Sequence, residues 1–72
     1  MRILILVEPS DTGFSAYAPD VPGCVAAAAT REQTEALMQQ ALAFHFEGLR
    51  EDGQSVPESA SYATYVEVAV PA

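Results

Sequence analysis

The longest helix-type pattern in the chain covers residues 30–53. At about 100° per residue, its apolar side chains fall on one broad arc. That arc holds Leu37, Met38, Ala41, Leu42, Phe44, Phe46 and Leu49. Thr30 with Gln33 can form a capping box at the start, and Gly53 can close the last turn in a left-handed conformation. The pattern predicts one long amphipathic helix, with an apolar face broader than a single sheet would cover.

Short apolar or alternating segments on both sides of this helix predict four strands. Residues 3–7 are apolar on both faces of the first strand, so we expect both faces to be covered. A polar turn at residues 10–13 leads into a second strand at residues 14–18, which predicts an antiparallel hairpin. A third strand is predicted at residues 24–28. Residues 62–70 alternate between Tyr62, Thr64, Val66, Val68 and Val70 on one side and Ala63, Tyr65, Glu67 and Ala69 on the other, and predict a fourth strand after the helix.

The order of these segments predicts an α+β domain with two layers, β-β-β-α-β, in which an antiparallel sheet is covered by one long helix. We expect residues 1–72 to form a single domain. A chain of 72 residues buries only about 60% of its unfolded surface, and one cysteine forms no internal disulfide. We therefore expect a homodimer or a higher even oligomer to supply the missing burial.

The charge of the chain is strongly one-sided. Ten acidic residues stand against three arginines, with no lysine, for a formal net charge of −7. This charge repels phosphate backbones, so direct nucleic-acid binding is not expected; it would attract a basic partner, although solubility is the simpler interpretation. No segment reaches the roughly 20 apolar residues of a membrane helix, and the apolar start is too short for a secretory signal. We expect a cytoplasmic protein that binds no membrane.

Candidate catalytic chemistry is sparse. Cys24 and His45 are the single cysteine and the single histidine, and together they could be a thiolate nucleophile and its base. The sequence around Cys24 offers no feature that would lower a thiol pKa, so packing is the favoured interpretation of both residues. The carboxylates are scattered without metal-ligand spacing. We expect no cofactor, no metal and no enzymatic activity.

Two strings in the chain resemble the HicB family of antitoxins. They are F-S-A-Y-A-P-D-V-P-G-C-V-A-A-A-A-T-R-E-Q at residues 14–33 and H-F-E-G-L-R-E-D-G-Q-S-V-P-E-S at residues 45–59. The most specific part is P-D-V-P-G-C, at residues 19–24. The resemblance implies a β-β-β-α-β domain of reduced ribonuclease-H-like type without the catalytic carboxylates. It also implies a binding module that neutralises a HicA-type toxin, which is a small mRNA-cleaving enzyme.

The chain departs from the family pattern at the start of its helix. Ala28 stands where the family often has glycine, and Thr34 and Glu35 stand where it often has apolar residues, so we expect the first helical turn to dock differently. Many members also carry a C-terminal DNA-binding segment. Residues 1–72 show no such segment, so autorepression by this chain alone is not expected.

The resemblance and the charge together predict that acidic side chains contact a basic toxin. The candidates are three acids near the end of the helix and two in loops. They are Glu47, Glu51, Asp52, Asp11 and Asp20. The alternative is a stand-alone homo-oligomeric binding protein that has no toxin partner.

Overall fold

The computed structural model describes residues 1–71 and contains three strands followed by one helix. The elements are β1 (Leu6–Ser10), β2 (Gly13–Tyr17), β3 (Val25–Ala28) and α1 (Arg31–Glu51). The strands form one antiparallel sheet in the order β1-β2-β3, and α1 lies mainly over β2 and β3, with less contact to β1. The α+β class and the order of the first four elements are confirmed.

Both ends of α1 are capped as the sequence predicts. The Thr30 hydroxyl accepts a hydrogen bond from the Gln33 N–H at 3.1 Å. At the other end Gly53 has a φ of 72°, and the Gln54 N–H donates to the Leu49 carbonyl at 2.8 Å. This pair of features is a Schellman motif, which satisfies carbonyl groups that the last turn would leave unpaired.

The turn between β1 and β2 brings β2 very close to the end of β3. A Cβ atom built on Gly13 would lie 2.2 Å from the Ala28 carbonyl oxygen and 2.8 Å from the Ala29 Cα. Carbon atoms do not approach backbone atoms so closely, so only glycine fits at this position.

The core lies between α1 and the face of the sheet that it covers. Its buried apolar side chains are Ala16, Ala18, Val21, Cys24, Met38 and Leu42. Thr34 is also fully buried, and its hydroxyl donates to the Thr30 carbonyl at 2.8 Å. The alanines of β2 and β3 are short enough for the helix to approach the sheet. Ile3, Ile5 and Val7 complete this core from the side and are only partly buried.

Two strand predictions are corrected by the structure. The first strand begins at Leu6 rather than at Ile3, because β2 ends opposite Leu6 and the chain then turns at Pro19, which leaves the preceding residues without a partner. The predicted fourth strand is wrong for the isolated chain. Residues 62–70 form no ladder with any described residue, and every one of them is exposed. We call these nine residues the arm.

The arm makes the molecule elongated. The Cα radius of gyration is 14.9 Å, whereas a compact domain of this length would have about 11 Å. The longest dimension is 56 Å, against 28 and 17 Å in the other two directions. A compact domain with one core would explain the dimensions of the rest of the chain, but not the additional length that the arm gives the molecule.

Candidate protein-binding surfaces

Asp20 holds the base of the arm. Its Oδ2 accepts hydrogen bonds from the N–H groups of Ser61, at 2.9 Å, and Ala60, at 3.0 Å, while its Oδ1 accepts one from the Ser61 hydroxyl at 2.7 Å. The Ser61 N–H and then the Ser61 hydroxyl are the main reasons why the pKa of Asp20 lies below its ordinary value. Asp20 was predicted as a partner contact. The structure gives its carboxylate a role inside the chain, and contact with a partner stays a prediction.

The other candidate acids are exposed but do not form one cluster. Glu47, Glu51 and Asp52 lie together at the end of α1, where Glu47 and Glu51 are one turn apart on the same side of the helix. Asp11 lies in the β1–β2 turn, two residues before Gly13, which approaches the Ala28–Ala29 backbone that leads into α1. A helix of 21 residues separates its two ends by about 30 Å. Asp11 therefore belongs to the opposite end of the molecule.

An exposed apolar ridge runs along α1 beside the buried stripe. Thr34, Met38 and Leu42 face the core, whereas Leu37 is 43% exposed and Phe44 is 81% exposed. The apolar arc is thus wider than the surface that the sheet covers, as the sequence pattern indicates. Phe44 belongs to the predicted apolar arc, yet this chain alone leaves it in water.

Phe44 borders a groove between α1 and the start of β3, which we call the β3 groove. Its volume is about 420 Å³, and its lining is largely apolar with one acid at the edge. The lining residues are Gly23, Cys24, Val25, Ala41, Phe44, His45, Gly48, Leu49 and Asp52. An exposed aromatic side chain beside an apolar groove with an acidic rim is typical of a protein-binding surface.

A second groove lies between α1 and the residues that precede β1, and we call it the β1 groove. It has a volume of about 430 Å³. Its lining comprises Met1, Arg2, Ile3, Ile5, Glu35, Gln39, Leu42, Ala43 and Phe46. The groove exists because α1 covers β2 and β3 and leaves the β1 side of the sheet partly open. β1 is also an edge strand, so backbone groups on its outer side have no partner in this sheet.

The face of the sheet away from α1 carries an apolar row. Leu6 pairs with Tyr17, and Tyr17 pairs with Val25, so the three side chains lie side by side across all three strands. Leu6 is half-buried, and Val25 is 68% exposed. The sequence predicts that both faces of the first strand are covered, but within residues 1–71 the face of β1 away from α1 has no cover.

Cys24 and His45 both line the β3 groove. Cys24 is buried, and this burial raises the pKa of its thiol, which disfavours the thiolate that a nucleophile needs. The His45 ring lies 6.2 Å from the neighbouring Phe46 ring, between centroids. These surroundings support a packing role for both residues.

Neither a metal cluster nor a membrane span is found within residues 1–71. No three histidine, cysteine or acidic side chains in this range come together as they would to hold a metal ion. α1, the helix in the same range, is not apolar enough over its length to cross a membrane. The surfaces available for function are therefore the grooves, the apolar ridge, the acids and the arm.

Comparison with known proteins places this chain in a family. No solved structure matches it. It is 34% identical over 62 residues to an uncharacterized 14.9 kDa protein from the rep-hol intergenic region of Haemophilus phage HP1 (strain HP1c1). The alignment covers 86% of this chain and 47% of that protein, so the chain spans about half the length of this relative. Residues 3–69 match the family described as the HicB_like antitoxin of bacterial toxin-antitoxin systems, a match that includes the sheet, the helix and most of the arm. The chain therefore belongs to the HicB-like antitoxin family.

Proposed function

We propose that this chain is the toxin-binding module of an antitoxin and that it neutralises a small, basic, mRNA-cleaving toxin of HicA type. The observation that carries the proposal is the family match over residues 3–69. The net charge of −7 supports it, because an acidic surface can occupy the basic sites at which such a toxin would hold RNA phosphates. The chain acts by binding, and no catalytic step is assigned to it.

The β3 groove is the surface that fits this partner best. Phe44 offers an exposed aromatic anchor, and Asp52 is the acid at the edge of the groove. Glu47 and Glu51 are exposed in the last turns of α1, outside the lining of the groove. Binding energy at interfaces concentrates on a few aromatic anchors, while rim charges mainly steer the approach. We therefore assign Phe44 to the centre of the contact and Glu47, Glu51 and Asp52 to its edge. Asp11 and Asp20 are secondary candidates, because Asp11 lies at the far end and Asp20 is engaged with the arm.

The toxin proposal can be tested with purified proteins. The toxin to be used is a short basic HicA-type protein sought in the reading frame beside this chain, and the readout is cleavage of an mRNA in vitro. One equivalent of the wild-type chain should abolish cleavage. Phe44→Ala should weaken inhibition by about 10- to 100-fold, with an unchanged melting temperature because this side chain is 81% exposed.

Charge variants with a matched control complete this test. Glu47→Lys and Glu51→Lys, each made alone, should slow association with the toxin. Glu8→Lys makes the same charge change at an exposed position in β1, away from the β3 groove, and should leave association close to that of the wild type. A basic HicA-type toxin that is neither bound nor inhibited at micromolar concentration, with both proteins folded, would refute the proposal.

We also propose that the protein is a homodimer or a higher even oligomer and that it acts in the cytoplasm, where mRNA is cleaved. The open β1 groove, the apolar row on the far face of the sheet and the arm all leave apolar surface in water. Sedimentation at micromolar concentration tests this proposal. A stable, compact monomer under these conditions would contradict it.

The alternative function is a stand-alone homo-oligomeric binding protein without a toxin partner. The arm is the observation that favours it, because an exposed alternating segment can assemble the protein without any toxin. The two functions differ in one measurement. Assembly that is complete while every HicA-type protein tested is left active would favour the alternative.

A further inference from the structure

We propose that the arm pairs as an added strand along the outer edge of β1 in a second copy of this chain, and that two copies exchange arms reciprocally. This inference rests on the proposed homo-oligomer and identifies the contact that would form it.

The arm has the composition of a strand but no partner. On one side it presents Tyr62, Thr64, Val66, Val68 and Val70, which are aromatic or β-branched residues. Val66 is 79% exposed and Val70 is 87% exposed, so this apolar side faces water in the isolated chain. Nine residues in extended conformation span about 30 Å. A segment of this kind reaches its stable state by joining the edge of a sheet.

The amount of exposed surface also indicates a missing partner. The chain exposes 5859 Å², whereas a compact monomer of its mass would expose about 4,300 Å². The excess is about 1,600 Å² per copy, so two copies that cover it would bury an area in the range of permanent homodimers. A crevice or a turn does not produce an excess of this size, but a strand held away from the domain does.

The backbone of β1 limits where an added strand can pair. Because the turn between Ser10 and Gly13 has two residues, alternate β1 residues direct their backbone groups toward β2, and Val7 and Pro9 direct theirs outward. Pro9 has no N–H to offer at that outer edge. The usable edge is therefore residues 3–7. β3, the other edge strand, offers only Val25–Ala28.

Side-chain packing favours the same edge. Ile3 and Ile5 line the β1 groove together with Phe46 of α1. A strand placed beside β1 would direct every second side chain into this groove, beneath the helix. The row of valines on the arm has the apolar character and the two-residue spacing that such a position requires.

The arm starts beside residues 2–5 of its own chain but forms no ladder with them. Tyr62 and Ala63 share a crevice with those residues, and just before them Ala60 and Ser61 donate hydrogen bonds to Asp20. Beyond this anchor every residue from Tyr62 to Val70 is exposed, and its own β1 groove stays open. Reciprocal exchange across a two-fold axis fills both grooves and closes the assembly at two copies. A basic toxin suits the arm less well, because Glu67 is the only charged residue on it.

Mixed-label NMR of the full chain tests the exchange directly. One sample of the chain is methyl-labelled, the other is unlabelled, and the two are unfolded, mixed and refolded together. We expect contacts between copies that join the methyl groups of Val66 or Val68 to those of Ile3 or Ile5. Contacts that occur only within one copy would overturn the proposal, as would arm amides that exchange freely in a sample that sedimentation shows to be dimeric.

Two proline variants give a second, independent test. Backbone N–H groups alternate between the two sides of a strand, so either Glu67→Pro or Val68→Pro must remove a donor that faces β1 of the other copy. That variant should raise the dimer dissociation constant by about 100-fold or more. Glu67→Thr keeps the N–H and changes a side chain on the opposite side of the arm from the valine row, so it is the control and should change the constant by less than about 10-fold. Unchanged dimerisation in both proline variants would exclude pairing through the arm.

Neither test contains a toxin, so the outcome is independent of toxin binding. A dimer that uses its arms and inhibits no toxin supports the exchange while it refutes the proposed antitoxin role. A dimer that inhibits a toxin while its arms stay free overturns the exchange alone. A monomer at micromolar concentration overturns both the exchange and the proposed oligomer.

Discussion

Adding one methyl group to the chain should have opposite effects at two of its glycines. At Gly13 the new Cβ would lie 2.2 Å from the Ala28 carbonyl oxygen and 2.8 Å from the Ala29 Cα. Both of these atoms belong to the backbone between β3 and α1. The strands would have to separate by about 1 Å, which a close-packed domain resists. We expect Gly13→Ala to destabilise the protein by about 2–4 kcal/mol, a large effect for an overpacking substitution.

Gly48 is the matched control for this substitution. It lies inside α1, and a Cβ atom there would meet nothing within 4 Å apart from its chain neighbours and the backbone of its own helix. Alanine is favoured over glycine in a helix interior by about 1 kcal/mol, so Gly48→Ala should stabilise the protein by about that amount. The two variants carry the same chemical change, and the structure alone determines the sign of each effect.

Thermal unfolding followed by circular dichroism measures both effects. For a domain of this size, 1 kcal/mol corresponds to about 4–8 °C in Tm, so Gly13→Ala should lower Tm by at least about 8 °C and Gly48→Ala should raise it by about 4–8 °C. Protein concentration must be the same in all samples, because the proposed assembly would make Tm depend on concentration. A Gly13→Ala variant as stable as the wild type would show that β2 and the start of α1 are not so closely packed.

Three further predictions concern the base of the arm, the association with the toxin, and the packing role of Cys24 and His45. Because the pKa of Asp20 is lowered, its bonds to Ala60 and Ser61 should persist above about pH 4 and be lost as the pH falls through that lowered value; Asp20→Asn should abolish this pH dependence of the protection of the two amides, measured relative to their intrinsic exchange rates. Raising salt from about 50 to 500 mM should slow toxin association in stopped-flow experiments much more than it speeds dissociation, and equal effects on both rates would argue against steering. Cys24→Ser and His45→Gln should change inhibition only as far as they change stability or the packing of the β3 groove; a variant that keeps the wild-type Tm and the wild-type affinity for the toxin but no longer inhibits it would require a chemical role for that residue.

The parts of the fold that could be predicted from the sequence depend on local interactions. Thr30 and Gly53 cap α1 through hydrogen bonds to residues within five positions, so the spacing of a few residues specifies both ends. The β1–β2 hairpin is equally local, because its turn joins two neighbouring strands. The prediction of strand ends is less accurate, because the start of β1 depends on where β2 stops.

The arm and the exposed residues of α1 could not be predicted because they depend on distant partners. Alternation at residues 62–70 shows that the segment suits a sheet, but it does not specify which edge the segment joins. The position of Phe44 in the apolar arc likewise does not reveal that α1 turns its Met38 side toward the sheet. The charge of Asp20 predicts contact with a basic partner, but it does not predict hydrogen bonds to residues 40 and 41 positions away.

The extended, exposed arm has a consequence for how the protein is made. β1, β2, β3 and α1 contact one another in chain order, and such local contacts form quickly, so the domain should complete its own folding before it meets any other molecule. Between folding and assembly, the arm is an exposed segment that can pair with the edge strand of another protein in the crowded cell. The risk of such mispairing rises with the rate of synthesis. Glu67, at the centre of the arm, interrupts its apolar sequence with a charge, as gatekeeper residues do in aggregation-prone segments. We therefore expect Glu67→Val to increase the insoluble fraction of the protein during overexpression while the stability of the purified chain stays unchanged.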